Sequence, residues 1–216
     1  MKKKLIQEIP FWALIILPIL LLNSVWERIP NEIPLHYNLL GEPDKWGSKN
    51  SLWWIFTLVP LFGYLLLLVA RSIDPKKKLS QIGNKYYLIR FGFSLSLTAI
   101  FLAMLYSLAS QANNFQSSVF IILAFLFIFL GNYFRNIKPN YFLGFRTPWA
   151  LENEQVWRFT HYHSSVVWFI GGISMLIINF WRPITEIWLA NYVIIIILIL
   201  DPIIYSYIKY VQLKKV

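Results

Sequence analysis

The chain has 216 residues, of which 57% are hydrophobic and only 14% charged, with a net charge of +10. Globular domains run near half and a quarter, so this balance excludes an ordinary soluble domain. The basic residues fall between apolar runs and not on one folded face, which argues against direct nucleic-acid binding, and the absence of cysteine excludes disulfides and thiolate metal sites.

Lys2-Lys3-Lys4 leads into the first of six apolar runs, at about 9–26, 52–70, 88–109, 117–134, 164–180 and 187–207. Each is close to the ~20 residues that cross ~30 Å of hydrocarbon at ~1.5 Å per residue, and only helices can do so without leaving amides unpaired. The expected fold class is therefore all-α: a polytopic integral membrane protein with six transmembrane helices. The first run has no small-residue cleavage site, and Trp26-Glu27-Arg28 is a poor place to cut, so it is expected to be retained as a span. With the N-terminus inside, sixteen basic residues fall on the inner side: Lys2, Lys3, Lys4, Arg71, Lys76, Lys77, Lys78, Lys85, Arg90, Arg135, Lys138, Arg146, Arg158, Lys209, Lys214 and Lys215. Only Arg28, Lys45, Lys49 and Arg182 fall outside, which completes the 20. That bias follows the positive-inside rule and predicts cytoplasmic N- and C-termini. Pro18 and Pro60 lie within the first two spans, where each frees a backbone carbonyl and kinks the helix.

The largest outer loop, 27–51, carries Ile33-Pro34-Leu35-His36-Tyr37-Asn38 and then Gly41-Glu42-Pro43-Asp44-Lys45-Trp46-Gly47-Ser48-Lys49. The first piece reads as extended, since proline disfavours helix before it. Gly41 to Asp44 reads as a tight turn, with Gly47 breaking the chain again. A single His beside Glu42 and Asp44 matches no zinc spacing, so no metal is assigned. The loop is expected to cap the helix ends, with Trp46, Trp53 and Trp54 at the outer interface. Its ligand-facing candidates are His36, Tyr37, Asn38, Gly41, Glu42, Pro43, Asp44 and Trp46.

Between the fourth and fifth runs, residues 131–161 are dense in basic, aromatic and amide side chains, a mixture that suits a membrane face. Lys138 to Gly144 reads as a non-helical turn bounded by Pro139 and Gly144. Thr147-Pro148 starts a helix, with Thr as cap and Pro at the first position. From Trp149 to His161 the pattern is amphipathic, with Glu154 and Arg158 at i,i+4 spacing, and predicts a helix in the inner interface that feeds the fifth span. Gly171-Gly172, with Ser164, Ser165 and Ser174 nearby, offers a small-residue packing surface. Asp201, before Pro202, is a carboxylate at membrane depth. It costs roughly 2.5–3.5 kcal/mol and must find a partner among neighbouring hydroxyls, His163 or Arg90. Two readings stand for it, a paired residue that fixes helix arrangement and a proton- or ligand-linked switch.

No Gly-rich phosphate loop, nucleophile elbow, His-Glu-x-x-His or inward carboxylate pair occurs, and His161 and His163 point to different helix faces, so neither catalysis nor a cofactor is expected. The order Gly131-Asn132-Tyr133, Lys138 to Gly144, Arg146-Thr147-Pro148-Trp149, Val156-Trp157 and Thr160-His161 closely resembles the signature of the SdpI family of bacterial membrane immunity proteins. The 27–51 loop resembles the short N-terminal domain of unassigned function that accompanies that signature. The resemblance implies a two-helix unit over 1–80 and an SdpI-like four-helix unit over 81–216. It also implies neutralising or sensing a secreted antimicrobial peptide toxin, with signalling through a cytoplasmic transcriptional repressor held at the membrane. Partner candidates on the signature are Asn132, Lys138, Pro139, Asn140, Tyr141, Gly144, Arg146, Thr147, Pro148, Trp149, Trp157 and His161. The alternatives are a transporter or exporter of a small solute, for which no inverted repeat is evident, and a ligand-free envelope assembly factor.

Overall fold

The computed structural model describes residues 2–74, 79, 82–112, 115–181 and 184–214. Lys76, Lys77, Lys78, Arg182 and Lys215 of the charge count lie outside the described residues. Six long helices occur among the described residues: α1 (Lys2–Val25), α2 (Ser51–Ile73), α3 (Asn84–Ser110), α4 (Phe115–Phe134), α6 (Glu154–Trp181) and α7 (Ile184–Lys214), with a short α5 (Pro148–Glu152) before α6. All six are long and apolar enough to cross a membrane. Only 22–28% of each most apolar window is buried. Side chains such as Phe62, Ile177 and Leu200 therefore face outward over far more area than a soluble protein leaves bare, and lipid is the solvent that suits them.

The six expected spans are all present, and two departures have local causes. The amphipathic helix expected over 149–161 is broken at Asn153, whose backbone is extended (φ −125°, ψ 118°). Its Oδ1 accepts the N–H groups of Gln155 (2.8 Å) and Val156 (3.3 Å), so it caps a new helix. Residues 154–163 are thus the first turns of α6 itself, not a separate interfacial helix. Glu154 and Arg158 form no ion pair among the described residues, and both are exposed. The second departure from an all-helical chain is an antiparallel hairpin of β1 (Glu32–Tyr37) and β2 (Pro43–Ser48). Gly47 does not break the chain there. It pairs with Ile33 inside the ladder, and a Cβ on it would run into the Leu35 side chain.

Packing divides the chain into two units, 1–67 with 90–122 and 68–89 with 123–216. In the first, Ile33 of the hairpin is fully buried with Leu22, Leu52, Phe56 and Phe101, so the loop is joined to the helix core. Lys49 reaches back to the Trp26 and Ile29 carbonyls (3.4 and 3.3 Å) and lies over the Trp26 ring, placing a cation at the C-terminal end of α1. Pro18 leaves the Leu14 carbonyl without its helical donor. Thr98 of α3 sits 2.9 Å from that oxygen and 2.9 Å from Ser94 O, sharing its hydroxyl proton between them.

In the second unit, α4 and α6 approach closely at two glycines. A Cβ at Gly131 would lie 2.7 Å from Phe169 N, and one at Gly172 would lie 2.6 Å from Ala124 O. Gly171 accommodates the Leu198 side chain of α7. The small-residue surface of the fifth span is therefore used for helix packing. Pro202 frees the Leu198 carbonyl, and the indole N–H of Trp168 on α6 donates to it at 2.9 Å. The same device joins α1 to α3 and α6 to α7: a donor from a neighbouring helix replaces the hydrogen that proline lacks.

Candidate functional site

The segment between α4 and α6 is built from its backbone outward. Asn140, almost wholly buried, is the hub of the turn. Its Nδ2 donates to Lys138 O (2.8 Å) and Leu143 O (3.1 Å), while its Oδ1 accepts from Phe142 N (2.8 Å) and Leu143 N (2.7 Å). All of the amide's main donors and acceptors are used, so the side chain substitutes for secondary structure in a stretch that Pro139 keeps non-helical. Gly144 follows at φ +92°, and a Cβ there would occupy the space of His161 Nε2. That close approach lets the Phe145 N–H donate to His161 Nε2 at 3.0 Å. His161 Nδ1 lies 2.9 Å from Trp157 O, so Nδ1 carries the proton and the ring is the neutral tautomer. Trp157, also buried, stacks on His161 at 4.1 Å and donates its indole N–H to Ile137 O at 2.7 Å.

A second layer fixes the segment to α7. Thr147 caps α5 and donates to Ser206 Oγ at 3.0 Å, while the Trp149 indole N–H bonds to the same Ser206 oxygen and its ring packs edge-on to Tyr207. Arg146 donates to Tyr141 O at 2.6 Å. A cavity of about 580 Å³ opens beside this corner, lined by Tyr141, Gly144, Phe145, Arg146, Trp168 and Ile203 among others. The signature candidates therefore separate into two groups. Asn140, Thr147, Trp157 and His161 are buried and hold the segment, with Gly144 and Trp149 packed against it; Asn132, Lys138, Tyr141, Arg146 and Pro148 are exposed, and Pro139 is partly so.

Asp201 takes His163 as its partner, with His163 Nε2 and Asp201 Oδ1 3.0 Å apart, and Tyr205 stacks flat on the imidazole at 3.9 Å. Arg90, the other ionic candidate, is committed elsewhere. Its Nη1 and Nη2 grip both oxygens of Glu8 (3.1 and 2.7 Å), Tyr64 donates to the same carboxylate (3.0 Å), and the guanidinium lies 4.4 Å over the Phe11 ring. This buried knot was missed from the sequence. Glu8 falls one residue before the apolar run at 9–26 and was given no role there, yet α1 extends back to Lys2 and so places the carboxylate inside the helix, where it needs a partner.

In the hairpin, Asn38 Oδ1 accepts the N–H groups of Leu40 and Glu42 at 2.9 Å, and its Nδ2 donates to Glu42 Oε2 at 3.1 Å. Gly41 supplies the left-handed residue (φ +83°). His36 and Asp44 meet across the strands at 2.6 Å, both exposed, with Pro43 paired to Tyr37. Burial pushes the Tyr37 phenol up from its ordinary range. Leu39, Leu40 and Trp46 are exposed around this turn, so its rim is apolar.

Residues 136–206, which hold the buried hub and its anchors, match the SdpI/YfhL protein family, and residues 13–61, which hold the hairpin, match a domain of unknown function, DUF1648. The chain is SdpI-like. It is 25% identical over 204 residues to "Immunity protein SdpI" of Bacillus subtilis (strain 168), covering 93% of this chain and 89% of that protein. No solved structure matches. With six apolar helices and this similarity, the chain is a multi-pass protein of the bacterial cell membrane. Within the SdpI-like segment fall Lys138, Asn140, Gly144, Arg146, Thr147, Trp149, Trp157, His161 and Asp201; Asn132 lies just before it.

Proposed function

We propose that the chain is a membrane immunity protein that neutralises or senses a secreted antimicrobial peptide and signals by holding a cytoplasmic repressor at the membrane. The observation that carries this reading is the end-to-end similarity to an immunity protein, which extends across both the hairpin and the signature segment. The division of labour among the residues supports it. An apolar, exposed hairpin turn (Leu39, Leu40, Trp46) offers a membrane-active peptide a first contact, and a rigidly built basic corner (Lys138, Tyr141, Arg146) offers a surface to a partner. In this reading the N- and C-termini are cytoplasmic, the hairpin is external, and the corner faces the cell interior, as the basic residues demand.

Two experiments test it. Expressing the chain in a sensitive bacterium and challenging the cells with secreted peptide toxins should raise survival, and Leu39→Asp with Leu40→Asp should remove the protection at unchanged protein level. Unchanged killing across a panel of such toxins would defeat the immunity reading. For the signalling arm, a soluble DNA-binding repressor should pellet with membranes only when both this chain and toxin are present. Arg146→Ala should weaken that recruitment while leaving protein level intact.

A further inference from the structure

A second cavity in the SdpI-like unit, about 530 Å³, lies where α4 ends and α6 begins, closed on one side by the last turn of α7. Arg135, Arg158 and Gln155 supply its polar wall, and Ile137, Phe159 and Leu213 its apolar one. Both arginines are exposed, neither makes an ion pair among the described residues, and no carboxylate is among the lining residues. Outside the lining, Lys209 lies 5.6 Å over the Phe159 ring and donates to Gln212. His161 also borders the cavity, but both its nitrogens are already bonded, so it contributes only ring surface. Two guanidinium forks facing one concavity without a counter-charge suit a phosphate, which accepts such donors in pairs.

The apolar surface continues away from the cavity along α6. Tyr162, Val166, Ile170, Ile173 and Ile177 are all exposed and follow at spacings of four, four, three and four. That is one helix face, running from the charged mouth down the length of a membrane-crossing helix. A free phosphate would use only the mouth, whereas a peptide would leave unexplained why the greasy lane runs along a span. We propose that this cavity is a structural binding site for one anionic phospholipid, its phosphate held by Arg135 and Arg158 and one acyl chain laid along the Tyr162–Ile177 face. Basic pockets between membrane helices, with the headgroup at the interface, are chemically matched to such lipids.

The test uses the full-length chain, extracted in mild detergent. Native mass spectrometry after adding phosphatidylglycerol should show one retained lipid per chain, and phosphatidylcholine of the same chain length should be retained far less. Arg135→Ala with Arg158→Ala should lower retention by about tenfold for each charged hydrogen bond removed. Should that double variant misfold, Ile170→Asn tests the lane, and it should weaken lipid retention while leaving the charged mouth intact. On the wild-type chain, phosphatidylglycerol should raise the thermal midpoint and phosphatidylcholine should not, whatever the variants do. Displacement of the lipid by millimolar inorganic phosphate would reduce the site to a free-anion site and overturn the proposal. Equal retention of both lipids by the wild-type chain would overturn it as well.

Discussion

Asn140, Gly144 and His161 are the residues on which the signature corner depends, and each acts through geometry that no smaller or larger side chain reproduces. Gly144→Ala places a methyl group in the space of His161 Nε2 at a positive φ, so both sterics and backbone oppose it. The expected result is loss of folded protein, measured as a drop in monodisperse yield; a normal yield would mean the corner can reopen. Asn140→Ala removes two donated and two accepted hydrogen bonds from a buried turn and should cost at least about 1–3 kcal/mol. In the first unit, Glu8→Ala leaves Arg90 buried without its carboxylate, a loss of about 3–5 kcal/mol where such pairs have been broken, whereas Glu8→Leu with Arg90→Met should be much closer to neutral. Thermal unfolding of the three variants in one detergent decides this. At this scale the sequence singled out these residues but not the contacts they make. Trp149, Trp157 and His161 stand out as polar aromatics near a membrane face, and only the fold shows that Trp157 and His161 are turned inward and Trp149 is locked to Ser206.

Helices were the most legible level, because twenty apolar residues in a row leave the backbone one solution in lipid. The hidden part was how broken helices are repaired. A proline inside a span announces a freed carbonyl, but the donor that compensates comes from a different helix tens of residues away: Thr98 for Pro18, and Trp168 for Pro202. That pairing makes a sharp prediction. Trp168→Phe should cost about 1 kcal/mol in the native chain but much less in a Pro202→Ala background, where the backbone at that position regains an N–H for Leu198 O. Equal costs in both backgrounds would show that the indole bond contributes nothing and only ring packing matters. The break at Asn153 was similarly hard to see, since an amphipathic pattern continues across it. The residue's capping chemistry was the available clue. The hairpin was not anticipated: the turn was expected over Gly41–Asp44, whereas Pro43 and Asp44 open β2 and the turn closes between Asn38 and Glu42, and Gly47 reads as a breaker unless Leu35 is known to lie across it.

For the whole molecule, the apolar segments mark six membrane helices, and the basic segments between them carry the proposed direction of each crossing. The chain has no cysteine, so single substitutions report topology without background. Lys45→Cys should react with a membrane-impermeant maleimide on intact cells, and Lys138→Cys only after the membrane is opened. Labelling of both from outside would put hairpin and corner on the same face and overturn the proposed arrangement, and with it their assignment to toxin and repressor. The packing of the chain into two units cuts through α2, α3 and α4, a division that hydropathy cannot report, because a continuous apolar helix looks the same whichever neighbours it touches.

The engaged imidazole at the signature corner also has an experimental use. The chain's three histidines differ in how their ring nitrogens are occupied: His36 is exposed and bonded on one side, His163 is partly exposed, and His161 is buried with both nitrogens taken. An acylating reagent that needs a bare imidazole nitrogen should therefore modify His36 first and His161 only when the corner transiently comes apart. The lag of His161 behind its two siblings, followed peptide by peptide, becomes a built-in clock for how often that corner unlatches, and its slowing or quickening on adding toxin would report whether a signal has crossed the bilayer.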